Sequence, residues 1–457
     1  MTSSTHTIAA IATARGRAAL AIVRMSGPEA ISTAADCFQG DDLRAAASHT
    51  AHVGYVIGRD GARIDQVVAT IFRAPRSVTG EDVVEISCHG GDVASRLILR
   101  RLLEAGARMA APGEFTQRAF VNGKMDLAQA EAVADLIHST SSMAHRASLQ
   151  HLQGRYSDVL ADLRDQLVEI CALLELELDF SDEDVEFADR ERLDELLGRS
   201  ARLLEELLGS YRLGARLRDG VRVVIGGRPN AGKSTLLNAL LGRERAIVSE
   251  MPGTTRDEIE DEAEIGGMLF RFVDTAGLRE TADAIEAEGV RRAERSIERA
   301  DVLLYVYDAT VGLDADEREF LAGLDGDVPV ILVANKRDLL NGRSRKPDAA
   351  ELLISARAAY EHEDEMRPLI ERLVDAVGAG LTQTEASPVV MNERHRQHLD
   401  HALQAVRSAG HALQTDASGD ALALDLRHAL HEIGAITGEI TTEDVLDQIF
   451  SRFCIGK

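Results

Sequence analysis

The chain has 457 residues, a formal net charge of −25 and 45% hydrophobic residues. This length predicts about three domains, and the apolar content suffices for separate cores. So acidic a surface argues against tight autonomous binding to a nucleic-acid backbone, and the four scattered cysteines exclude paired zinc ligands and a disulfide framework.

The first 120 residues have the pattern of a compact α+β unit. Short β-branched runs predict strands at Thr7–Ile11, Ala19–Val23, Val67–Phe72 and Asp82–Ile86. Helical spacing follows from Val93 to Ala105. No targeting segment opens the chain, and no apolar run reaches the length of a membrane span. We therefore expect a cytoplasmic protein without membrane attachment.

Helical periodicity dominates the next stretch and returns near the end of the chain. It is carried first by Leu127, Ala130, Ala134 and Ile137, then by Leu160, Leu163, Leu167, Ile170 and Leu174, and later by Leu399, Leu403, Val406, Leu413, Leu422, Leu426 and Leu430. Such stripes are usually core, so the distant pieces are predicted to pack as one helical domain. The stretch between them is then an insertion. The predicted domains are the N-terminal unit at 1–120, a first helical segment at 121–219, the insertion at 220–380 and a second helical segment at 381–457.

A phosphate-binding loop opens the insertion. Gly227-Arg-Pro-Asn-Ala-Gly-Lys-Ser234 lies between the apolar run Val221–Ile225 and a helix-forming segment. Glycines let backbone amides face phosphates, Lys233 can reach the outer phosphates, and the Ser234 hydroxyl can ligate Mg²⁺. The sequence therefore predicts a nucleoside triphosphate site.

Motifs further along the chain predict that the base of the nucleotide is guanine. Val302–Tyr307 and Val328–Ala334 have the composition of buried parallel strands, and the second leads into Asn335-Lys-Arg-Asp338. The Asp338 carboxylate can accept hydrogen bonds from N1–H and the 2-amino group of guanine, which adenine lacks. Asn335 and the stem of Lys336 would hold the ring. A last strand at Leu352–Ala356 could offer the Ala356 amide to the guanine O6.

The hydrolytic residues depart from the Ras pattern. Asp274-Thr-Ala-Gly277 follows the strand Leu269–Val273, but Leu278 stands where Ras-like proteins have the glutamine that orients water. Asn230 and the segment Ala246–Thr255 could enclose a monovalent cation, which would supply the charge of an arginine finger. The less favoured alternative is that Asn230 is an ordinary turn residue.

Motifs throughout the chain resemble the potassium-dependent GTPases, and among them the MnmE (TrmE) family of tRNA-modification GTPases. They are Gly253-Thr-Thr-Arg-Asp257, Asp274–Glu280, Gly80–Glu85 with His89-Gly-Gly91, Pro112–Phe120, Asp126–Glu131 and Phe453-Cys-Ile-Gly-Lys457. The fold implied is multidomain α/β plus all-α. It combines an N-terminal α+β folate-binding-like and dimerisation domain, a helical bundle, and an inserted Ras-like P-loop GTPase domain with a doubly wound, mostly parallel sheet.

The resemblance also implies roles for individual residues. Catalytic roles fall on Glu286, which would position water, on Arg256, which would support the switch region, and on Asn230. Ser234 and Thr255 would ligate Mg²⁺, and Asn230, Ser249, Met251 and Thr254 would surround K⁺. GTP contacts are implied for Asn230, Ala231, Gly232, Lys233, Ser234, Thr235, Ser249, Glu250, Met251, Pro252, Gly253, Thr254, Thr255, Asp274, Thr275, Ala276, Gly277, Asn335, Lys336, Arg337, Asp338, Ser355, Ala356 and Arg357. From spacing alone, Glu286 is an ordinary solvated helix carboxylate.

A folate site and partners are implied in the same way. Arg24, Glu85, Lys124 and Lys457 would contact 5-formyl- or 5,10-methylene-tetrahydrofolate, with Cys454 either a catalytic thiol or only a polar contact. The implied partners are a second copy of the chain and an MnmG (GidA)-type flavoprotein carrying FAD. The implied activity is K⁺-stimulated GTP hydrolysis that drives modification of carbon 5 of the wobble uridine in certain tRNAs.

Other functions remain open from the residues. Basic groups at Arg212, Arg216 and Arg218, and at Arg343–Lys346, could contact RNA, although such groups are more often solvated linkers. A ribosome-assembly GTPase and a folate-dependent methyltransferase with a regulatory GTPase domain are the alternatives. Because of the acidic charge, we expect tRNA to bind mainly through the partner complex.

Overall fold

The computed structural model describes residues 6–14, 16–179, 190–242, 260–274, 297, 299–324, 328–340, 351–360, 362–377, 389–415 and 419–456. These residues form two compact units. Unit 1 comprises residues 1–134, 152–164 and 430–457, and unit 2 comprises residues 135–151 and 165–429.

Unit 1 is built on a seven-stranded sheet with the order β3-β4-β5-β6-β2-β1-β7. Its strands are β1 Ile8–Ile11, β2 Leu20–Ser26, β3 Phe38–Gln39, β4 Thr50–Ile57, β5 Arg63–Phe72, β6 Val83–His89 and β7 Arg108–Met109. Its first helices are α1 Ala30–Ala35, α2 Asp92–Glu104 and α3 Glu114–Val121. The four strands and the helix predicted here are confirmed, whereas β3, β4 and β7 were missed.

Three further helices follow α3 along the chain. They are α4 Leu127–His138, α5 Ser142–Leu152 and α6 Arg155–Asp179. The predicted stripe Leu160, Leu163, Leu167, Ile170 and Leu174 is buried, as expected of a core. The prediction for Ile137 is wrong, because this side chain is 40% exposed in the last turn of α4.

Unit 2 contains a six-stranded sheet with the order β13-β12-β11-β8-β10-β9. Its strands are β8 Val221–Gly226, β9 Glu260–Ile265, β10 Met268–Asp274, β11 Val302–Asp308, β12 Val330–Asn335 and β13 Glu351–Leu353. All neighbours are parallel except β9 and β10. The predicted doubly wound, mostly parallel sheet is therefore confirmed. β8 and β11 are almost wholly buried, as expected of parallel strands covered on both faces.

Further helices follow along the described part of the chain. They are α7 Arg190–Asp219, α8 Lys233–Leu241, α9 Ala315–Ala322, α10 Arg367–Val377, α11 Glu393–Gln414, α12 Gly419–Thr437 and α13 Glu443–Phe450. α7 packs against α11, and Arg407 of α11 forms an ion pair with Glu205 of α7 at 2.7 Å. The described helices include none that is both long and apolar enough to cross a membrane.

Candidate nucleotide site

The loop between β8 and α8 has the backbone conformation that its glycines were predicted to allow. Gly227 and Gly232 have φ values of +132° and +94°, and Asn230 has +64°. A Cβ atom at Gly227 would lie 2.0 Å from the Val306 carbonyl oxygen, so only glycine fits there. The positive φ of Asn230 agrees with a turn residue, and its exposed side chain leaves the amide oxygen available to a cation.

Lys233 lies at the start of α8 and folds back over the loop. Its Nζ donates hydrogen bonds to the carbonyl oxygens of Gly227 at 2.8 Å and Arg228 at 2.9 Å. The side chain is buried, while the adjacent Ser234 and Thr235 are exposed in the first helical turn. Free amides at a helix N-terminus favour phosphate, and exposed hydroxyls suit a hard cation. These residues therefore fit both a phosphate group and Mg²⁺.

Asn335 joins the phosphate loop to the base-recognition segments. Its Nδ2 donates to the Ala231 carbonyl oxygen at 2.9 Å, and its Oδ1 accepts from the Ala356 amide at 2.9 Å. The residue is only 2% exposed. Asn335 therefore contributes to the architecture of the site.

Lys336 and Asp338 have definite partners as well. Lys336 has φ +67°, and its Nζ lies 2.7 Å from the Asp308 Oδ2. Burial raises the pKa of the Asp308 carboxyl, but hydrogen bonds from Lys336 and Thr310 outweigh burial and leave that pKa below its usual value. The Ser355 hydroxyl donates to the Asp338 Oδ1 at 2.6 Å, which orients an exposed carboxylate.

A third group of contacts was not predicted from the sequence. Arg228 forms ion pairs with Asp314 and Glu317 at the start of α9, and the Tyr305 hydroxyl donates to the Glu317 Oε1 at 3.0 Å. Asp314 and Glu317 also form a capping box. The spacing Asp-x-x-Glu could have revealed that cap, but not its contact with the phosphate loop. Glu365 similarly accepts from the Ser355 amide and pairs with Arg337. Arg357 is exposed, and its predicted contact with GTP stays a prediction.

Of the residues assigned to folate, the described ones, Arg24, Glu85 and Lys124, lie in unit 1. Arg24 and Glu85 are cross-strand neighbours on β2 and β6, and the Arg24 Nε donates to the Glu85 Oε1 at 2.8 Å. The Arg24 NH1 also donates to the Gly456 carbonyl oxygen at 3.4 Å, so the carboxyl-terminal tail reaches this pair. Cys454 is exposed, whereas Lys124 donates to the Pro75 carbonyl oxygen at 3.1 Å.

Several predicted site residues lie outside the described residues of the chain. They are Ser249, Glu250, Met251, Pro252, Gly253, Thr254, Thr255, Arg256, Thr275, Ala276, Gly277, Glu286 and Lys457, with Leu278 and Arg343–Lys346 also outside. For Asp274 the structure gives the backbone alone, at the end of β10 opposite Ile225.

Two arginines of one candidate RNA-binding cluster, Arg216 and Arg218, have partners in the structure. Arg216 pairs with Asp301 at 2.8 Å, and Arg218 pairs with Asp219 at 2.8 Å and donates to the Met391 carbonyl oxygen at 2.7 Å. The contacts with Asp301 and Met391 tie α7 to neighbouring segments. Contact of Arg212, Arg216 and Arg218 with RNA stays a prediction.

Replacing Asn335 by alanine should weaken binding of a fluorescent GDP analogue by at least about tenfold. The change leaves the Ala231 carbonyl and the Ala356 amide without their present partner, and such a loss costs about 1–3 kcal/mol per buried group. Titration of the full chain measures the affinity. The matched control is Asn392→Ala, which removes a helix-capping asparagine from the start of α11. Equal affinities for wild type and Asn335→Ala would contradict the bridging role.

Comparison with known proteins identifies similar chains. Two family models match, "GTP-binding protein TrmE N-terminus" over residues 7–124 and "MnmE helical domain" over residues 127–454. A tRNA modification GTPase MnmE from Salinibacter ruber is 65% identical over 466 residues, covering 100% of both chains. The protein of that name from Cytophaga hutchinsonii is 44% identical over 469 residues, covering 100% of this chain and 99% of the relative. Among solved structures, the FeoB G-domain from Methanococcus jannaschii is 28% identical, covers 34% of this chain and 97% of its own, and has a TM-score of 0.24.

Proposed function

Because the chain belongs to the MnmE (TrmE) family and is a GTP hydrolase of tRNA modification, we propose how it performs that activity. K⁺ stimulates its GTP hydrolysis, and the hydrolysis drives a conformational change. Together with an MnmG-type FAD-dependent partner, the protein installs an aminomethyl or carboxymethylaminomethyl group at C5 of wobble uridine 34. The one-carbon unit comes from 5-formyl- or 5,10-methylene-tetrahydrofolate.

The observation that carries the nucleotide site in this proposal is the double hydrogen bond of Asn335. It connects the phosphate loop at Ala231 to the guanine-recognition segment at Ala356, so one side chain fixes the two ends of the site. Asp338, oriented by Ser355, would accept the N1–H and 2-amino hydrogens of guanine. Lys336 would cover the ring with its aliphatic stem. Lys233 would exchange its two carbonyl partners for phosphate oxygens.

Two cations fit the proposed chemistry. Ser234, with Thr255, would hold Mg²⁺, which supplies neutralising charge at the phosphates. Asn230, with Ser249, Met251 and Thr254, would hold K⁺, which supplies the charge that an arginine finger supplies elsewhere. Asn230 supports this assignment because its exposed amide lies within the phosphate loop. We further propose that Glu286 positions the attacking water and that Arg256 supports the switch segment. The GTP contacts at the remaining positions predicted from the family resemblance belong to the same proposal.

GTP hydrolysis is expected to be at least tenfold faster in KCl than in NaCl at equal ionic strength. K⁺ and Na⁺ carry the same charge, so a difference in rate reports a cation site of definite size. Initial rates of phosphate release from the full chain measure this effect. Asn230→Ala should lose the difference between the two salts, and Asn238→Ala, also exposed but on α8, should retain it. Equal rates in both salts with wild-type protein would refute K⁺ stimulation.

A folate site is supported by the charges around the tail. Arg24 and Glu85 provide a cation and a carboxylate at one point of the sheet, and Gly456 brings the tail to Arg24. A carboxylate can accept from the amino and N–H groups of a pterin, whereas cations suit its glutamate. We assign this site to Arg24, Glu85, Lys124 and Lys457. Cys454 would stand nearby as a thiol or a polar contact.

The acidic charge supports a division of labour between subunits. With a net charge of −25, the chain alone repels phosphate backbones, so we propose that tRNA binds mainly through the flavoprotein complex. We also propose a homodimer formed by the N-terminal domain. Apolar side chains exposed on one face of its sheet support this assignment, since Val53 and Val68 are opposite each other on β4 and β5 and are 64% and 37% exposed. We also propose that the chain has four domains, at 1–120, 121–219, 220–380 and 381–457, and that it is cytoplasmic.

In cells that lack this chain, the wobble uridine of the affected tRNAs should carry no substituent at C5. Because the nitrogen donor is ammonium or glycine, wild-type cells should contain the aminomethyl or the carboxymethylaminomethyl product respectively. Mass spectrometry of digested tRNA measures each nucleoside. The control is complementation with wild type, and omission of the flavoprotein in vitro distinguishes this function from a self-sufficient folate methyltransferase. Normally modified tRNA in the deletion strain would overturn the assignment to wobble uridine.

A further inference from the structure

The segment from Pro112 to Lys124, which contains helix α3, contacts the carboxyl-terminal tail, Arg24 and the loop before β6. At its start, the Gly113 amide donates to the Cys454 carbonyl oxygen at 3.4 Å, and Pro112 forms an isolated bridge with Ile455. Gly113 has φ +67°, and a Cβ there would lie 2.7 Å from the Phe450 carbonyl oxygen. The tail is therefore seated closely against the beginning of α3.

The first turn of α3 packs against the Arg24 side chain. The Phe115 ring is buried, and the guanidinium of Arg24 lies 5.8 Å from its centroid. One turn later, Arg118 is only 7% exposed. Its NH1 donates to both Glu81 carboxylate oxygens at 3.2 and 3.0 Å, and its NH2 donates to the Glu114 Oε1 at 2.9 Å.

Arg118 thereby holds the loop before β6. The Ser26 hydroxyl donates to the Glu81 Oε2 at 2.6 Å, which ties the same carboxylate to the end of β2. Beyond α3, Asn122 donates to the Thr79 carbonyl oxygen at 2.7 Å, and Lys124 reaches Pro75. The loop from Pro75 to Glu81 is thus attached both to Arg118 and to the turn that carries Lys124.

We propose that Arg118 is a positioning residue that acts through Glu81 to set the spacing between Lys124, the Arg24–Glu85 pair and the tail. This inference deepens the proposed folate site and depends on it. Arg118 does not touch the ligand. A guanidinium is suited to this task because its planar fork binds two carboxylates and a backbone carbonyl in fixed directions, the last being that of His6 at 2.9 Å.

A purely structural role is the competing explanation, and charge balance separates the two. Removing Arg118 alone leaves the Glu81 carboxylate, whose side chain is only 12% exposed, without its arginine, which destabilises the fold whatever the role of the residue. Removing both charges together avoids this penalty. Glu114 needs no compensation because Arg108 also pairs with it.

The experiment measures binding of 5-formyl-tetrahydrofolate to the full chain by calorimetry. The variants are Arg118→Met, Glu81→Gln and the double Arg118→Met/Glu81→Gln, with Arg108→Met as the matched control because Arg108 contacts Glu114 but not Glu81. Thermal unfolding and binding of a fluorescent GDP analogue report whether each variant is folded.

A positioning role predicts at least tenfold weaker folate binding in all three variants, with no further loss in the double variant, and less than a twofold change in Arg108→Met. The double variant should unfold at a higher temperature than Arg118→Met and still bind poorly. Wild-type affinity in a folded double variant would overturn the inference. Absence of folate binding by the wild-type protein would overturn the proposed folate site, and the positioning role with it. Folate binding by wild type that the double variant retains would overturn the positioning role alone.

Discussion

Replacing Asp338 by asparagine is expected to lower the affinity for GTP by about three orders of magnitude and to create a preference for xanthosine triphosphate. The carboxylate would accept two hydrogen bonds from guanine, and each hydrogen bond to a charged group contributes about 1.5–3 kcal/mol. An asparagine amide instead presents one donor and one acceptor. The asparagine NH2 group would face the 2-amino group of guanine, which is also a donor. With xanthine, the NH2 group would donate to the 2-oxo group and the asparagine carbonyl oxygen would accept from N1–H.

The local structure should survive this change. The Ser355 hydroxyl that now donates to the Asp338 Oδ1 could donate equally to an asparagine carbonyl oxygen. Competition between GTP, xanthosine triphosphate and ATP for a fluorescent nucleotide measures the selectivity, with exposed Asp316→Asn on α9 as the control. Unchanged preference for GTP in Asp338→Asn would show that Asp338 does not read the base. Equal binding of ATP and GTP by wild type would remove the GTP assignment itself.

Replacing Gly227 by alanine should abolish measurable nucleotide binding and destabilise unit 2 by more than about 3 kcal/mol. An L-residue at a positive φ costs about 1–2 kcal/mol. The added methyl group would also lie 2.0 Å from the Val306 carbonyl oxygen on the neighbouring strand β11, which cannot move without breaking its pairing with β8 and β12. The loop must therefore shift away from β11, and the carbonyl oxygens of Gly227 and Arg228 would shift from Lys233.

A substitution at a second glycine, Gly61, separates the conformational cost of a positive φ from the cost of the steric clash. Gly61 also has a positive φ, +79°, but a Cβ there would meet nothing within 4 Å. Gly61→Ala should therefore show the conformational cost alone, about 1 kcal/mol, and normal nucleotide affinity. Hydrogen exchange of β8 and β11 in Gly227→Ala, and of β4 and β5 in Gly61→Ala, reports local stability without assuming that the whole chain unfolds in one step. Wild-type nucleotide affinity in Gly227→Ala would contradict the steric argument.

The predictable elements of the fold are those whose signal is local. Continuous apolar runs located β8, β10, β11 and β12, because a parallel strand is buried on both faces and its composition records this. Strand β4 was missed although it contains alternating residues, since polar and small groups at His52 and Gly54 interrupt the apolar pattern. Ile137 was placed in the core because periodicity identifies a helical face but not where its covering residues end.

In the candidate site, too, the residues with a local sequence signal were predicted and the long-range contacts were not. Gly227, Lys233 and Asp338 were found because a phosphate loop and a base motif have a fixed spacing along the chain. The sequence predicted that Asn335 would hold the base, but its contact with Ala231 joins residues separated by 104 positions. Arg228 and its partners on α9 were not found at all, because charged residues are frequent and nothing in their spacing identifies which ones meet.

The amino-acid sequence by itself determined the order of the main buried strands and helices, the nucleotide chemistry and the family, since these depend on local periodicity and on motifs of contiguous residues. Only the tertiary structure decided which side chains share a site. Arg24 reaches Gly456 across 432 positions, and Arg118 reaches Glu81 from another element. Such contacts follow from strand register and helix docking, which depend on packing of the whole unit, and a single sequence does not specify them residue by residue.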